Sequence, residues 1–255
     1  MRTLHPNSVD IPSVSWLGRH HSILKPLLIG FSAALLALIF VQLGSEVVEG
    51  DTRIFDMLLL RGAQALRISY PWIIEVMRDV SGLGSTSVLI SFTACAVGYL
   101  ALISERTTAA LVATSVITGS VVVSVFKTNF GRLRPDSFYA EFSVSGWSFP
   151  SGHASMSAIV FLTVGTLIAC TRSRVAESIY ILTTATLLTL FVGLSRVLLG
   201  VHWATDVLGG WAFGAAWAIA WLLLSQQINS PGGAKRISAA VNTPDVAAKG
   251  AIDHP

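Results

Sequence analysis

The chain has 255 residues, of which 53% are apolar and only 12% charged, with a formal net charge of +3. That charged share is about half that of an ordinary soluble domain, and mean hydropathy is +0.67, so composition excludes a soluble protein. A charge so near zero, with no basic stretch interleaved with aromatics, also argues against nucleic acid as a partner.

Taken in chain order, residues 1–25 hold Pro, Ser and several basic or His residues and lack the short apolar core of a cleaved signal peptide. They read as a cytoplasmic N-terminal segment. A bilayer core takes roughly 20 apolar residues per helix. Windows of that kind fall at 26–48, 84–103, 107–126, 153–171, 178–199 and 206–228. The first opens with Pro26, a residue tolerated in the first turn of a helix. Between it and the second window, 49–83 differs in character. Ile54 to Leu66 places apolar residues at helical spacing among Arg53, Asp56, Arg61 and Arg67, and Tyr70 to Val80 repeats the pattern after Pro71. Both stretches read as amphipathic helices lying in the membrane interface. Cys95 and Cys170 sit in apolar runs without metal-ligand spacing and are expected as buried, unpaired thiols. Residues 229–255, rich in Gly, Ala, Asn and charge, read as a disordered cytoplasmic tail.

The expected fold is therefore all-α: a six-transmembrane helix bundle with amphipathic interfacial helices between spans one and two. The membrane-embedded domain covers 26–228. Lys and Arg fall almost evenly on the two sides. Setting aside the cations of the polar runs described next, the bias favours a cytoplasmic N- and C-terminus. Those runs then share the outer face.

Three polar runs interrupt the apolar pattern between 127 and 206. The last is Ser195-Arg196, then His202 and Asp206. Four residues apart on a helix, His202 and Asp206 share a face, and a carboxylate on one imidazole nitrogen leaves the other free to attack. Alone, the pair also fits a capping Asp beside an interfacial His. The middle run, Phe149-Pro150-Ser151-Gly152-His153, opens the fourth span. Ser151 stands at an N-cap position, Gly152 lets backbone approach a ligand, and the helix start favours an anion. His153 is placed to act as a general acid. In the first run, Lys127 and Arg134-Pro135 supply cations that, with Arg196, suit the charge on a phosphoryl group in flight. Snorkelling to lipid headgroups is the competing use of such side chains. That use is assigned to Arg132, and loop solvation to Asp136 and Glu141.

The three runs resemble the signature of the type 2 phosphatidic acid phosphatase superfamily, which also includes the vanadium haloperoxidases. Lys127-x6-Arg134-Pro135, Pro150-Ser151-Gly152-His153 and Ser195-Arg196-x5-His202-x3-Asp206 match it at every defining position. The resemblance implies that His202 is the nucleophile that forms a phosphohistidine, that Asp206 orients it, and that His153 protonates the leaving group. Lys127, Arg134, Ser151, Gly152 and Arg196 would hold the phosphate, and no metal or other cofactor is expected. The implied activity is hydrolysis of a lipid phosphate at the outer face of the inner (plasma) membrane. Candidate substrates are undecaprenyl diphosphate, placed first because it is released on that face, then phosphatidate, phosphatidylglycerol phosphate or lipid A. Transfer of the phosphoryl group to a second lipid uses the same intermediate and is the alternative. A lipid or anion transporter is a weaker one, since transporters place polar groups near the bilayer midplane. Oligomeric state is not legible.

Overall fold

The computed structural model describes residues 15–228, all of whose regular elements are helices: α1 (Ser15–Glu49), α2 (Arg53–Ser69), α3 (Trp72–Gly82), α4 (Thr86–Leu102), α5 (Arg106–Phe130), α6 (Gly152–Cys170), α7 (Val175–Leu198) and α8 (Ala204–Ile228). The tail at 229–255 and the first 14 residues lie outside the described region. Five helices are long and apolar enough to cross a bilayer unaided, namely α5, α6, α7, α8 and the part of α1 from Pro26. Pro26 does not open α1; it lies inside it.

The sixth expected span is built differently from the sequence reading. At 17 residues α4 falls short of a full crossing. It qualifies only together with α3, from which it is bent by 40° across a short break. Residues 70–80, expected as a separate interfacial segment, fall largely in α3, which with α4 forms a bent pair long and apolar enough to cross only when the two are taken as one. The break is where Gly84 sits against α7 and against the start of α6: a Cβ there would meet Val192 and the His153 ring.

α6 is the axis of the bundle. It packs chiefly on α7 and α8, while α1 packs on α8 and α4 on α5. Its faces reach two apolar clusters. One joins Ile159 to Phe40 of α1, Val123 of α5, Phe149 and Phe213 of α8. The other joins Val160 and Phe161 to Leu89 of α4 and Val192 of α7. Lipid gives helices no hydrophobic reason to associate, so close van der Waals contact has to do that work. The α6–α8 crossing supplies it: at Gly214 a Cβ would collide with Ala158 and the Ser155 carbonyl.

Outward faces carry large apolar side chains such as Leu38, Ile90, Ile117 and Tyr180, all exposed. Cys95 and Cys170 are free thiols on exposed positions, contrary to the expectation of burial. Each sits on a helix whose outward side faces the hydrocarbon, where an apolar run needs no covering protein.

Candidate active site

The connectivity α5–loop–α6–α7–turn–α8 brings the C-terminal end of α5 and α7 and the N-terminal start of α6 and α8 to one end of the bundle. Each of the three polar runs falls at such a helix end. α5 stops just after Lys127, where Gly131 takes the left-handed conformation and returns its N–H to the Lys127 carbonyl at 3.1 Å. The extended run that follows alternates its side chains. Arg132 and Arg134 turn inward, while Leu133 between them is 75% exposed.

His202 lies in the turn between α7 and α8, not on a helix with Asp206 as the spacing suggested; α8 begins at Ala204. The pair still meets, Nδ1 to Oδ2 at 3.1 Å, because the tight turn folds back over the first turn of α8. On its other side, Nε2 stands 2.9 Å from Arg134 Nη1. A guanidinium can only donate, so Nε2 is the accepting nitrogen and the proton resides on Nδ1, facing the carboxylate. Burial, the largest influence, pushes the imidazole down to about 4 against the opposing pull of Asp206. The ring is neutral at physiological pH, its lone pair directed at the cations. Burial also lowers Arg134 from its ordinary value, with Asp206 opposing.

Asp206 is fully buried and both of its oxygens accept hydrogen bonds. Oδ2 accepts from His202, from the Trp203 backbone N–H at 2.9 Å and from the Ser148 hydroxyl. Oδ1 accepts from Arg132 Nη1 at 2.7 Å. Two of these partners were missed in the sequence. Ser148 lies just before the Phe149-Pro150 run and approaches both Asp206 and His202 Nδ1, the latter at 3.3 Å. Arg132 does not snorkel; its guanidinium bridges the buried carboxylates of Asp206 and Asp56 at 2.7 and 2.6 Å. Its parity with Arg134 on an extended run was the signal available. Glu141 is no free loop acid either, since it pairs with Arg67 at 2.7 Å. Asp136 closes its own turn by accepting from the Phe138 N–H.

The anion-binding candidates lie at the same end of the bundle, with Arg134 against Nε2. Arg134 is held by the carbonyls of Val201 at 2.8 Å and Gly146 at 3.0 Å, and Lys127 Nζ by that of Trp147 at 2.9 Å. Arg196 donates to Ser81 Oγ at 2.6 Å, so the end of α3 contributes to this wall. His153 lies close enough to Arg196, His202, Arg134 and Lys127 to feel their charge. Gly152 lies beside Lys127, whose Cε would be 3.6 Å from a Cβ there. Ser151 occupies the N-cap position of α6, but its side chain does not cap the helix. Its buried hydroxyl, like Arg196 Nε, has no partner among the described residues. The first N–H groups of α6 have none within the helix.

A membrane helix bundle that gathers three cations and the start of a helix at the same end as an acceptor imidazole has the groups to hold an anion. Comparison with known proteins narrows this. The PAP2 superfamily model matches residues 108–230. Phosphatidylglycerophosphatase B of Bacillus subtilis (strain 168) is 31% identical over 183 residues, spanning 70% of this chain and 87% of that protein. A lipid A 1-phosphatase of Rhizobium johnstonii is 31% identical over 155 residues, or 54% of this chain and 59% of the relative. The crystal structure of a transmembrane PAP2-type phosphatidylglycerolphosphate phosphatase from Bacillus subtilis superposes with a TM-score of 0.72 at 26% identity, covering 78% of this chain and 98% of that one. The chain belongs to the PAP2 superfamily.

Proposed function

We propose that the protein is an integral-membrane lipid phosphatase that removes a terminal phosphate through a phosphohistidine on His202. The observation that carries this reading is the orientation of one ring: Nδ1–H on Asp206 and the Nε2 lone pair directed at Arg134. In the first step Nε2 attacks phosphorus, the bond to the lipid oxygen breaks, and His153 gives that oxygen its proton. Arg134 passes from Nε2 to the phosphoryl oxygens, where Lys127, Arg196, the Ser151 hydroxyl and the Gly152 N–H hold the developing charge. Water then attacks phosphorus, His153 takes its proton, and the P–N bond breaks to return neutral His202. Asp206 stabilises the ring while it carries positive charge. No metal takes part.

The substrate we favour is a glycerophospholipid monoester of the phosphatidylglycerol phosphate or phosphatidate type, ahead of the diphosphate carrier put first on location alone. The likeness to phosphatidylglycerophosphatase B of Bacillus subtilis, 87% of whose length is covered, supports that order. With α3 and α4 read together as one bent span, six crossings leave both chain ends on one side of the membrane; the Lys and Arg bias makes that side the cytoplasm, and the site then lies at the outer face of the inner membrane. α2 then lies in the interface: Ile54, Leu58 and Ile68 are exposed along it, and Leu133 and Phe138 of the site loop are each 75% exposed alongside. The membrane domain is 26–228, flanked by cytoplasmic segments.

Phosphate release by purified protein in detergent with EDTA tests this. Phosphatidylglycerol phosphate, phosphatidate and undecaprenyl diphosphate are compared, with His202→Ala as control. Release that survives EDTA and is lost in the control is expected. Loss of activity to EDTA, or full activity in the control, would overturn the mechanism.

A further inference from the structure

Asp56 belongs to none of the three runs and lies 149 residues from the nearest partner it touches on α8. It is 1% exposed, on the inward stripe of α2 formed by Asp56, Leu60, Ala63 and Arg67. Both its oxygens are engaged. Oδ1 accepts from the Thr205 N–H at 2.9 Å, and Oδ2 from the Thr205 hydroxyl at 2.7 Å and from Arg132 Nη2 at 2.6 Å. Arg132 Nη1 in turn bonds Thr205 Oγ1 at 2.8 Å and Asp206 Oδ1 at 2.7 Å. Thr52 Oγ1, 3.3 Å from Nη2, and the Trp203 ring complete the guanidinium's surroundings.

From this geometry we infer that Asp56 is a positioning residue for the nucleophile, acting on His202 through Arg132 and Asp206; the inference rests on the phosphohistidine reading above. The argument is one of charge. Asp206 can stabilise a positive ring only if its own charge is not spent elsewhere, and Arg132 in direct contact with it would spend it. Asp56 supplies the second negative charge. The cluster Asp56–Arg132–Asp206 carries a net charge of one minus, and Arg132 becomes a clamp that fixes the Asp206 carboxylate without cancelling it. Holding α2 in place by packing would require only Leu60 and Ala63; a buried carboxylate is retained at a desolvation cost that its partners must offset. The opposite end of the same stripe is anchored independently, Arg67 donating to the carbonyls of Leu198 and Tyr139. Asp56 is therefore not needed merely to tether α2.

The test uses the purified full chain in detergent. Asp56→Asn is expected to lower kcat about 10- to 100-fold, the usual cost of losing a group that orients a reacting one. KM and inhibition by inorganic phosphate stay near wild type, because Lys127, Arg134 and Arg196 do not touch Asp56. Adding Arg132→Gln to Asp56→Asn removes the uncompensated cation, and the double variant is expected to turn over faster than Asp56→Asn alone. A purely structural Asp56 gives the reverse, with the double variant slower and less stable. An unchanged kcat in well-folded Asp56→Asn overturns the inference outright. If Asp56→Asn does not fold, Thr205→Val removes one hydroxyl of the cluster and no charge. A fall in kcat with KM kept then supports the relay, and no fall rejects it. The wild-type arm separates the two levels of the argument. Absence of phosphate release from wild type sinks the proposed function and the relay with it, whereas normal wild-type release with an unaffected Asp56→Asn sinks the relay alone.

Discussion

The two halves of the polar site are built on opposite principles. Around Asp206 both carboxylate oxygens are engaged by protein donors: His202, Trp203, Ser148 and Arg132. Around the phosphate position the inventory is open, with Ser151 Oγ and Arg196 Nε buried and unpartnered. A buried polar group without a partner costs stability, so in a folded bundle its persistence calls for a ligand to complete it. One half fixes a tautomer and must not move. The other keeps donors available for oxygens that arrive with substrate. The contrast separates orientation from binding more sharply than burial alone does.

Asp206→Asn breaks the saturated half at its centre. It keeps the shape and loses the charge that selects Nδ1–H, so kcat is expected to fall on the order of 10⁴-fold with KM little changed. A change confined to KM would make Asp206 a binding group. Arg196→Lys acts on the open half. A point charge replaces a fork, and a loss of about 10² to 10³ in kcat/KM is expected on the scale of removing one charge-stabilising donor; steady-state kinetics with a short-chain phosphatidate reads it. Ser148→Ala returns to the saturated half and removes one donor of four from Asp206. A fall of about 10-fold in kcat is expected, the mild end of the cost of such a loss, and phosphate affinity unchanged. Ser151→Ala is the smallest step. Its hydroxyl has nothing to lose in the free protein, so thermal stability in detergent should hold or rise slightly, while inhibition by inorganic phosphate weakens by about 1 kcal/mol in binding. A loss of stability instead would make it a helix cap after all.

Much of the fold, and the three polar runs of the site, are legible in the sequence. Spans one, three, four, five and six stand out because lipid demands long apolar helices, and the windows at 153–171 and 206–228 lie within two residues of α6 and α8. The bent α3–α4 pair was not legible. Charged residues among apolar ones in 70–80 make an interfacial helix and the first half of a broken span look alike. His202 and Asp206 were found by spacing read on a helix, yet the contact arises from a turn: four residues reach across either geometry. Arg132 was misplaced because a lone Arg near the headgroups reads as snorkelling, and only the extended backbone after Gly131 turns it inward beside Arg134. Asp56 carried no signal. On α2 the usual rule is inverted, with the inward stripe holding Asp56 and Arg67 while Ile54 is 85% exposed. In a membrane protein hydropathy cannot say which face of an amphipathic helix meets protein.

The central claim is that His202 carries the phosphoryl group. The most direct measurement is mass spectrometry of alkali-quenched His153→Ala protein turning over p-nitrophenyl phosphate. This probe's good leaving group needs no acid, so formation of the intermediate is spared while its hydrolysis is slowed. The account predicts a phosphoramidate on His202, absent when His202→Ala is added. A phosphoryl group on any other side chain, or steady turnover by the double variant, would contradict it.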